Sequence, residues 1–371
     1  MTEARPATTL LAGAWGGERE PPGRSGGERD WHLPAHVRQP AETRRRLAEQ
    51  VGVGANAIVA ATFWTSRPAL ARYGEARRAR EWTELAVRLA REAVEEAGRD
   101  VLVCGSILPV SEDFEAHAGT LADAGVDVLL VEQMGTLAEA RAANLAAAAT
   151  GLPVWSGAQL GGGEWLGEWA EAVEPAAPER LLVYGSARDA ARSLEELGRM
   201  TTRALGACLT EPAGAEDAAL LLERGATVLG LASGATPEAL RTLRQAIDAR
   251  LEADRTSAED DRREWLTWVE RAAAWAPGGL ALWLGHEPDH PLPAGFDWTM
   301  APAEDAGRLP QHHFRLIVVG PSNGQPAGEH LLRLLEEGGV LLGALGAAAA
   351  DSPGRILDRS DDPPLTILRR E

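Results

Sequence analysis

The most informative absence in this 371-residue sequence is lysine, since all 37 basic side chains are arginine. Schiff-base catalysis needs an amine that can lose its proton, and the phosphate-binding loop of nucleotide hydrolases uses a lysine. A guanidinium stays protonated and replaces neither group. The sequence therefore excludes both chemistries.

Cysteine and long apolar runs are also scarce. Cys104 and Cys208 are the two cysteines, which are too few for a disulfide framework or a cysteine-rich zinc site. No run of about 18 apolar residues occurs, and the N-terminus lacks the basic start and apolar core of a secretion signal. We expect a soluble, cytoplasmic protein.

Positive charge is in the minority, with a formal net charge of −18. Binding to phosphate groups depends on clustered basic side chains that release counterions. We therefore expect neither nucleic acid nor an anionic membrane surface as a partner.

Short apolar runs alternate with amphipathic stretches as far as about residue 254, which indicates βα units and a parallel sheet. The predicted strands are residues 8–12, 56–61, 101–105, 126–131, 152–156, 181–184, 204–208 and 227–230. The predicted helices include residues 69–97, 136–150, 188–201 and 237–253. Eight strands suffice for a closed barrel, but a doubly wound open sheet fits the periodicity almost as well.

The pattern restarts near residue 262, after a charged linker at residues 253–263 that we expect to start a helix. A tryptophan-bearing helix is followed by predicted strands at 280–284, 296–300, 315–319, 340–344 and 365–368 and a helix at 328–337. Single cores stop growing near about 250 to 300 residues, so we predict two domains, residues 1–254 and 255–371. The second is predicted to be a small Rossmann-like α/β domain.

Sequence motifs within residues 8–254 follow one another in a recognisable order. They are Leu-Leu-Ala-Gly-Ala-Trp-Gly-Gly from Leu10, Cys-Gly-Ser-Ile-Leu-Pro from Cys104, Ala-Gly-Val-Asp-Val-Leu-Leu-Val-Glu ending at Glu132, and Gly-Leu-Ala-Ser-Gly-Ala-Thr-Pro-Glu from Gly230. Together they resemble the homocysteine S-methyltransferase family. The resemblance implies a (β/α)8 TIM barrel, which it favours over the open sheet, and a methyltransferase activity.

The resemblance also shows what is missing. In that family three cysteines at the ends of the sixth and eighth strands hold a zinc ion, and here Gly185, Ala232 and Ser233 occupy their positions. Zinc converts a thiol substrate into a thiolate nucleophile, and these residues cannot supply its thiolate ligands. We expect no zinc. A methyl donor such as S-adenosylmethionine is expected only as a substrate.

Functional groups of parallel barrels lie at the carboxyl ends of the strands. The resemblance implies that Glu132 accepts the α-ammonium group of a substrate. Trp64 and Trp155 are predicted to form an aromatic wall for a cation, or simply to pack. Tyr184 and Ser233 are the predicted catalytic groups, although Tyr184 could instead fill the space of the missing metal. The other predicted substrate-binding residues are Gln133, Ser186 and Thr236. Three further polar residues complete the predicted mouth: Thr62, Ser106 and Ser156.

Two classes of function remain open. The first is a zinc-independent methyl- or group-transferase acting on an amino-acid-like small molecule. The second is a non-catalytic barrel that acts as a binding or scaffold subunit, with a partner protein or a second copy bound through the C-terminal domain. A third hypothesis places S-adenosylmethionine in that domain, whose later half resembles a class I methyltransferase. Its predicted first strand ends at Leu284 without the usual Gly-x-Gly turn, which disfavours this hypothesis.

Overall fold

The structure is a computed structural model that describes residues 8–13, 33–109, 113–159, 164–211, 213–232, 236–276, 278–284, 292–311, 313–319, 331, 333–343, 354–361 and 364–370. Two compact units divide the chain, Pro6–Glu252 and Ala253–Glu371. Among the described helices, none is both long and apolar enough to cross a membrane.

Eight parallel strands of the first unit close into a barrel in chain order. They are β1 (Thr9–Ala12), β2 (Ala57–Val59), β3 (Leu102–Ile107), β4 (Val128–Val131), β5 (Val154–Gln159), β6 (Arg180–Gly185), β7 (Ala204–Leu209) and β8 (Ala226–Leu231). The ring closes where β8 pairs with β1, with Leu229 opposite Leu10. The predicted (β/α)8 barrel is confirmed, and each predicted strand overlaps an observed one.

Helices connect the strands. They are α1 (Ala35–Arg38), α2 (Pro40–Gly52), α3 (Arg67–Ala71), α4 (Ala79–Ala97), α5 (Phe114–Ala124), α6 (Leu137–Ala148), α7 (Glu164–Val173), α8 (Ala187–Met200), α9 (Ala215–Glu223) and α10 (Pro237–Trp275).

One helix prediction was wrong. The single helix predicted at 69–97 is interrupted, because Gly74 adopts φ 79° and a 3-10 turn at Ala76–Arg78 precedes α4. The linker at 253–263, which was expected to start a helix, is helical and lies within α10, which continues to Trp275.

Two apolar clusters hold the barrel together. The larger lies between the strands and the surrounding helices and includes Leu129 of β4 and Leu121 of α5. The smaller fills the barrel interior and includes Trp155 and Tyr184. Large side chains fit inside because neighbouring strands carry glycine: a methyl group on Gly157 would overlap the Tyr184 ring.

The second unit contains a six-stranded sheet. Its strands are β9 (Gly279–Leu284), β10 (Phe296–Ala301), β11 (Phe314–Val319), β12 (Leu335–Gly343), β13 (Gly354–Asp361) and β14 (Pro364–Arg370). Their order across the sheet is β10-β9-β11-β12-β14-β13, with β14 antiparallel to both of its neighbours.

The prediction of a helix at 328–337 was wrong for its last three residues, because β12 begins at Leu335. Leu335 pairs with Phe314 of β11, and Val340 pairs with β14 on the other side. Pairing on both sides outweighs the helix preference of this leucine- and glutamate-rich stretch. Strand β13 was not predicted.

Candidate functional site

Side chains along each barrel strand alternate between the interior and the helix layer. Leu182 and Tyr184 of β6 and Cys208 of β7 belong to the interior cluster, whereas Leu181 and Val183 pack outward. The last inward position of each strand therefore lies at the mouth of the barrel, where parallel barrels carry their functional groups.

A buried carboxylate and a hydroxyl group meet at the ends of β3 and β4. The Oγ of Ser106 donates a hydrogen bond of 2.6 Å to Oε1 of Glu132. The backbone N–H of Glu132 donates to the carbonyl of Ile107 at 3.1 Å, which continues the pairing of the two strands. Both side chains are 1% exposed. The carboxylate is thus held in one orientation, away from bulk water.

Three threonines extend this pair into a buried network. The Oγ1 of Thr62 accepts from the backbone N–H of Ser106 at 2.9 Å. Thr65 donates to the carbonyl of Thr62 at 3.0 Å, and Thr83 of α4 donates to the hydroxyl of Thr65 at 2.8 Å. Because low-dielectric surroundings strengthen hydrogen bonds, this network fixes the segment after β2 and the end of β3 relative to each other.

His117 of α5 supports the same strand end. Its ring is hydrogen-bonded to the backbone of Ser106. Burial lowers the pKa of His117 to about 4, and this effect outweighs the hydrogen bond and the nearby Asp113, both of which raise the pKa. The imidazole is therefore neutral at pH 7.

The residues around Glu132 carry two further signs of a functional site. Gln133 adopts φ 60°, which is uncommon for a residue with a side chain and occurs often at binding sites. Trp64 is half-buried against the interior cluster. Its indole N–H is buried and has no hydrogen-bond partner among the described residues, a condition that native structures rarely tolerate.

The opposite side of the mouth is mostly apolar. Tyr184 is 1% exposed, and its ring lies over Gly157 of the adjacent strand. Cys208 and Ala232 are equally buried in the interior cluster. Burial raises the pKa of the remaining thiol, Cys104, so it stays protonated and is a poor nucleophile.

The predicted position of Trp155 at the mouth needs correction. Strand β5 runs from Val154 to Gln159, so Trp155 is its second residue and lies near the amino end. The guanidinium of Arg180, the first residue of β6, lies 4.8 Å from the Trp155 ring centroid. Trp155 therefore lies toward the amino end of its strand in the barrel interior, and not at the mouth as predicted.

The hydroxyl groups predicted around the rest of the mouth have structural partners or face elsewhere. Ser186 accepts from the backbone N–H of Asp189 at 3.3 Å and caps α8. Thr236 accepts from the backbone N–H of Ala239 at 3.2 Å at the start of α10. Ser156 follows the inward Trp155 and so faces the helix layer. Ser233 lies outside the described residues.

The residues present do not fit the zinc site of the family that the sequence resembles. Ala232 offers only a methyl group, and Gly185 has no side chain. The Sγ of Cys208 would lie 3.3 Å from a Cβ atom placed on Gly230, so this thiol packs against β8. No group of three His, Cys, Asp or Glu side chains that could hold a metal occurs within the described part of the chain.

Sequence reasoning missed the residues that support Glu132. Thr65, Thr83 and His117 were not singled out. The available signals were the two threonines three residues apart after β2 and a histidine in the first half of a helix that follows a strand. Neither pattern shows which strand end its side chains will reach.

A closed parallel barrel with polar groups at the carboxyl ends of its strands defines the first unit as a (β/α)8 barrel. The sequence profile described as homocysteine S-methyltransferase matches residues 46–247, more than half of the chain. The chain belongs to the homocysteine S-methyltransferase family, which confirms the resemblance.

Solved structures agree with this assignment at the level of the fold. The metallated form of the homocysteine methyltransferase MmuM from Escherichia coli is similar with a TM-score of 0.56 and 21% identity, covering 64% of this chain and 96% of that one. Its oxidized form gives a TM-score of 0.54 at 21% identity, covering 66% of this chain and 96% of that one. No curated protein sequence matches this chain.

Proposed function

We propose that the barrel binds an amino-acid-like small molecule at its mouth and transfers a methyl or other group to or from it without a zinc-bound thiolate. The observation that carries the proposal is the buried Glu132 carboxylate, oriented by Ser106. A carboxylate in a water-poor site attracts an ammonium group more strongly than it does in water.

Trp64 supplies a hydrogen-bond donor in addition to the acceptor that Glu132 supplies. A zwitterionic amino acid needs an acceptor for its ammonium group and a donor for its carboxylate. Glu132 provides the first, and the indole N–H of Trp64, which has no partner among the described residues, provides the second. The transfer step, and the catalytic roles of Tyr184 and Ser233, stay predictions, as does S-adenosylmethionine as the methyl donor.

A second candidate is a barrel that binds its ligand but catalyses nothing. It is favoured by the opposite side of the mouth, where Gly185 and Ala232 stand at two positions of the family's metal ligands. Such a protein would act as a binding or scaffold subunit for a partner enzyme.

Calorimetric titration of chelator-treated protein with L-homocysteine, L-methionine, L-cysteine and S-adenosylmethionine tests the binding step. We expect one of them to bind, and Glu132→Gln to weaken this binding by about tenfold to a hundredfold, the usual range for one charged hydrogen bond. The matched control is Glu168→Gln, which removes the same charge from the exposed surface of α7.

An analogue separates the ammonium contact from general effects of the variant. 4-Mercaptobutanoic acid is homocysteine without its ammonium group, and we expect it to bind wild type and Glu132→Gln equally. A loss of the same size for this analogue would contradict the role of Glu132. An assay in zinc-free buffer, in which mass spectrometry monitors methyl transfer from S-adenosylmethionine to the bound ligand, distinguishes the transferase from the binding subunit. Turnover that depends on stoichiometric zinc would overturn zinc independence.

A further inference from the structure

A cavity of about 310 Å³ lies beside the polar side of the mouth, between the segment that follows β2 and helix α5. This volume is at the lower end of the range of small-molecule sites. Its lining residues include Thr65, Arg67, Arg77, Thr83, Asp113 and His117.

One wall of this cavity is unusually basic for such an acidic protein. Three of the lining residues are arginines, Arg67, Arg77 and Arg80, whereas the whole chain has a net charge of −18. Arg80 is already paired with Glu84 at 2.9 Å and Asp123 at 2.6 Å. Arg67 and Arg77 make no ion pair with any described residue. Two guanidinium groups on this wall thus have no carboxylate partner among the described residues.

The buried side of the cavity is polar and uncharged. Thr65 and Thr83 are fully buried and hydrogen-bonded to each other, and His117 is 6% exposed. Because burial lowers the pKa of His117 to about 4, this side carries no charge at pH 7. The carboxylate of Asp113 lies among the exposed lining residues of the other wall. Among the described lining residues, an anion would thus meet two guanidinium groups without an ion-pair partner on one wall and one carboxylate, Asp113, on the other.

We propose that this cavity binds a small molecule bearing a carboxylate or phosphate group, which Arg67 and Arg77 hold. Planar guanidinium groups form paired hydrogen bonds with both kinds of oxyanion. Asp113 disfavours ligands with a second negative group, so a molecule with one anionic group is expected to bind best. The site is separate from the one proposed at Glu132, and neither proposal depends on the other.

The cavity also contacts the network that supports Glu132. His117 lines the cavity and is hydrogen-bonded to the backbone of Ser106, whose hydroxyl binds Glu132. A ligand against His117 would therefore lie one residue away from the carboxylate pair. This places the second site where a co-substrate or an effector could act on the barrel mouth.

Arginine footprinting on the full-length protein tests the proposal. Phenylglyoxal modification of each arginine is followed by mass spectrometry with added inorganic phosphate or, separately, L-lactate. At about ten times its dissociation constant, a ligand should slow modification of Arg67 and Arg77 about tenfold by mass action. Arg141 of α6 is the internal control, since it is also exposed and makes no ion pair with the described residues.

The outcomes distinguish the ligand classes. Protection by phosphate alone assigns a phosphate-bearing ligand, and protection by lactate alone assigns a carboxylate. No saturable protection by either, or equal protection of Arg141, would overturn the proposal. The same experiment with Glu132→Gln should give unchanged protection, so failure of the barrel-mouth proposal would not be mistaken for failure of this one.

Affinity measurements on arginine variants test the result of the footprinting experiment. Arg67→Gln and Arg77→Gln should each weaken binding of the protecting anion about tenfold, and Arg141→Gln should leave it unchanged. Thermal unfolding of each variant verifies the fold. Unchanged affinity in both cavity variants would contradict the assignment.

Discussion

On one side of the barrel mouth, the ends of β2, β3 and β4 lead into Thr62, Ser106 and Glu132, which are all buried. Ser106 donates hydrogen bonds to both of the others. On the other side, the ends of β6, β7 and β8 carry Tyr184, Cys208 and Ala232 in an apolar cluster. The same fold builds both sides. One side therefore has a buried, oriented carboxylate, whereas Gly185 and Ala232 on the other side have no side-chain donor atoms.

This contrast shows that the groups at a barrel mouth can change independently of one another. Each strand end is supported by its own loop and helix, as the network from Ser106 to Thr83 illustrates. Changes at β6 and β8 therefore need not disturb the side that includes Glu132. We expect substitutions on the apolar side to affect stability and those on the polar side to affect binding.

The largest effect should come from emptying the apolar side. Tyr184→Ala removes a ring that is 1% exposed, so we expect it to lower the free energy of unfolding by about 3–5 kcal/mol. Urea titration with hydrogen exchange of barrel peptides measures this separately from the C-terminal unit. Tyr73→Ala, at the half-buried second tyrosine, should cost less than about 1 kcal/mol. Equal costs would show that the ring fills no space in the core.

Lowering the pH should destabilise the protein through two buried histidines. The pKa of His117 and that of His36 are both lowered to about 4 by burial, so between about pH 6.5 and pH 4 the unfolded chain binds protons that the folded chain does not. The free energy of unfolding should therefore fall with decreasing pH in this window by about 3 kcal/mol per histidine, and this histidine contribution should not grow further below pH 4.

Two matched variants test the acid effect. His36→Asn and His117→Asn should each reduce the pH dependence by about half, measured as the slope of unfolding free energy against pH. His36 is bonded to the carbonyl of Trp82 rather than to the mouth, so only His117→Asn should also weaken ligand binding. A slope that neither variant changes would assign the acid sensitivity to carboxylates.

The sequence predicted the alternating strands and helices well, because its strands are short apolar runs separated by clear helices. The choice of a closed barrel over an open sheet came from the family resemblance, which also implied the role of Glu132, a role that stays a prediction. It could not predict that Ser106 would contact Glu132, because this contact depends on the register in which β3 pairs with β4, where Ser106 lies opposite Leu130.

Trp155 shows how a small boundary error changes a functional prediction. The predicted strand ended at residue 156, which placed Trp155 at the mouth, but β5 continues to Gln159. Gly157 and Ala158 look like the start of a loop. Inside the barrel, Gly157 is instead the strand position that accommodates the Tyr184 ring, a long-range requirement that local sequence does not reveal.

The fit between Gly157 and Tyr184 can be tested directly. Gly157→Ala would place a methyl group into the ring, so we expect a loss of about 1–3 kcal/mol in unfolding free energy. In the double variant with Tyr184→Ala, the loss of unfolding free energy should be smaller than the sum of the losses in the two single variants, because the ring that collides with the methyl group is absent. Gly119→Ala, in open space on α5, should stabilise the barrel by about 0.5–1 kcal/mol. Additive losses of unfolding free energy in the Gly157 and Tyr184 variants would mean that these two residues do not compete for the same space.

The smallest effects concern the hydroxyl groups that sequence reasoning assigned to substrate binding on the apolar side. Ser186 caps α8 and Thr236 caps α10, so Ser186→Ala and Thr236→Ala should each lower the free energy of unfolding by about 1 kcal/mol and leave ligand affinity unchanged. Ser106→Ala should do the reverse and weaken ligand binding, because it releases the Glu132 carboxylate. Thr242→Ala, at a half-buried threonine within α10 whose hydroxyl donates to the carbonyl of Glu238, serves as the stability control. A tenfold loss of affinity in either cap variant with unchanged stability would place ligand contacts on both sides of the mouth and remove the contrast between them.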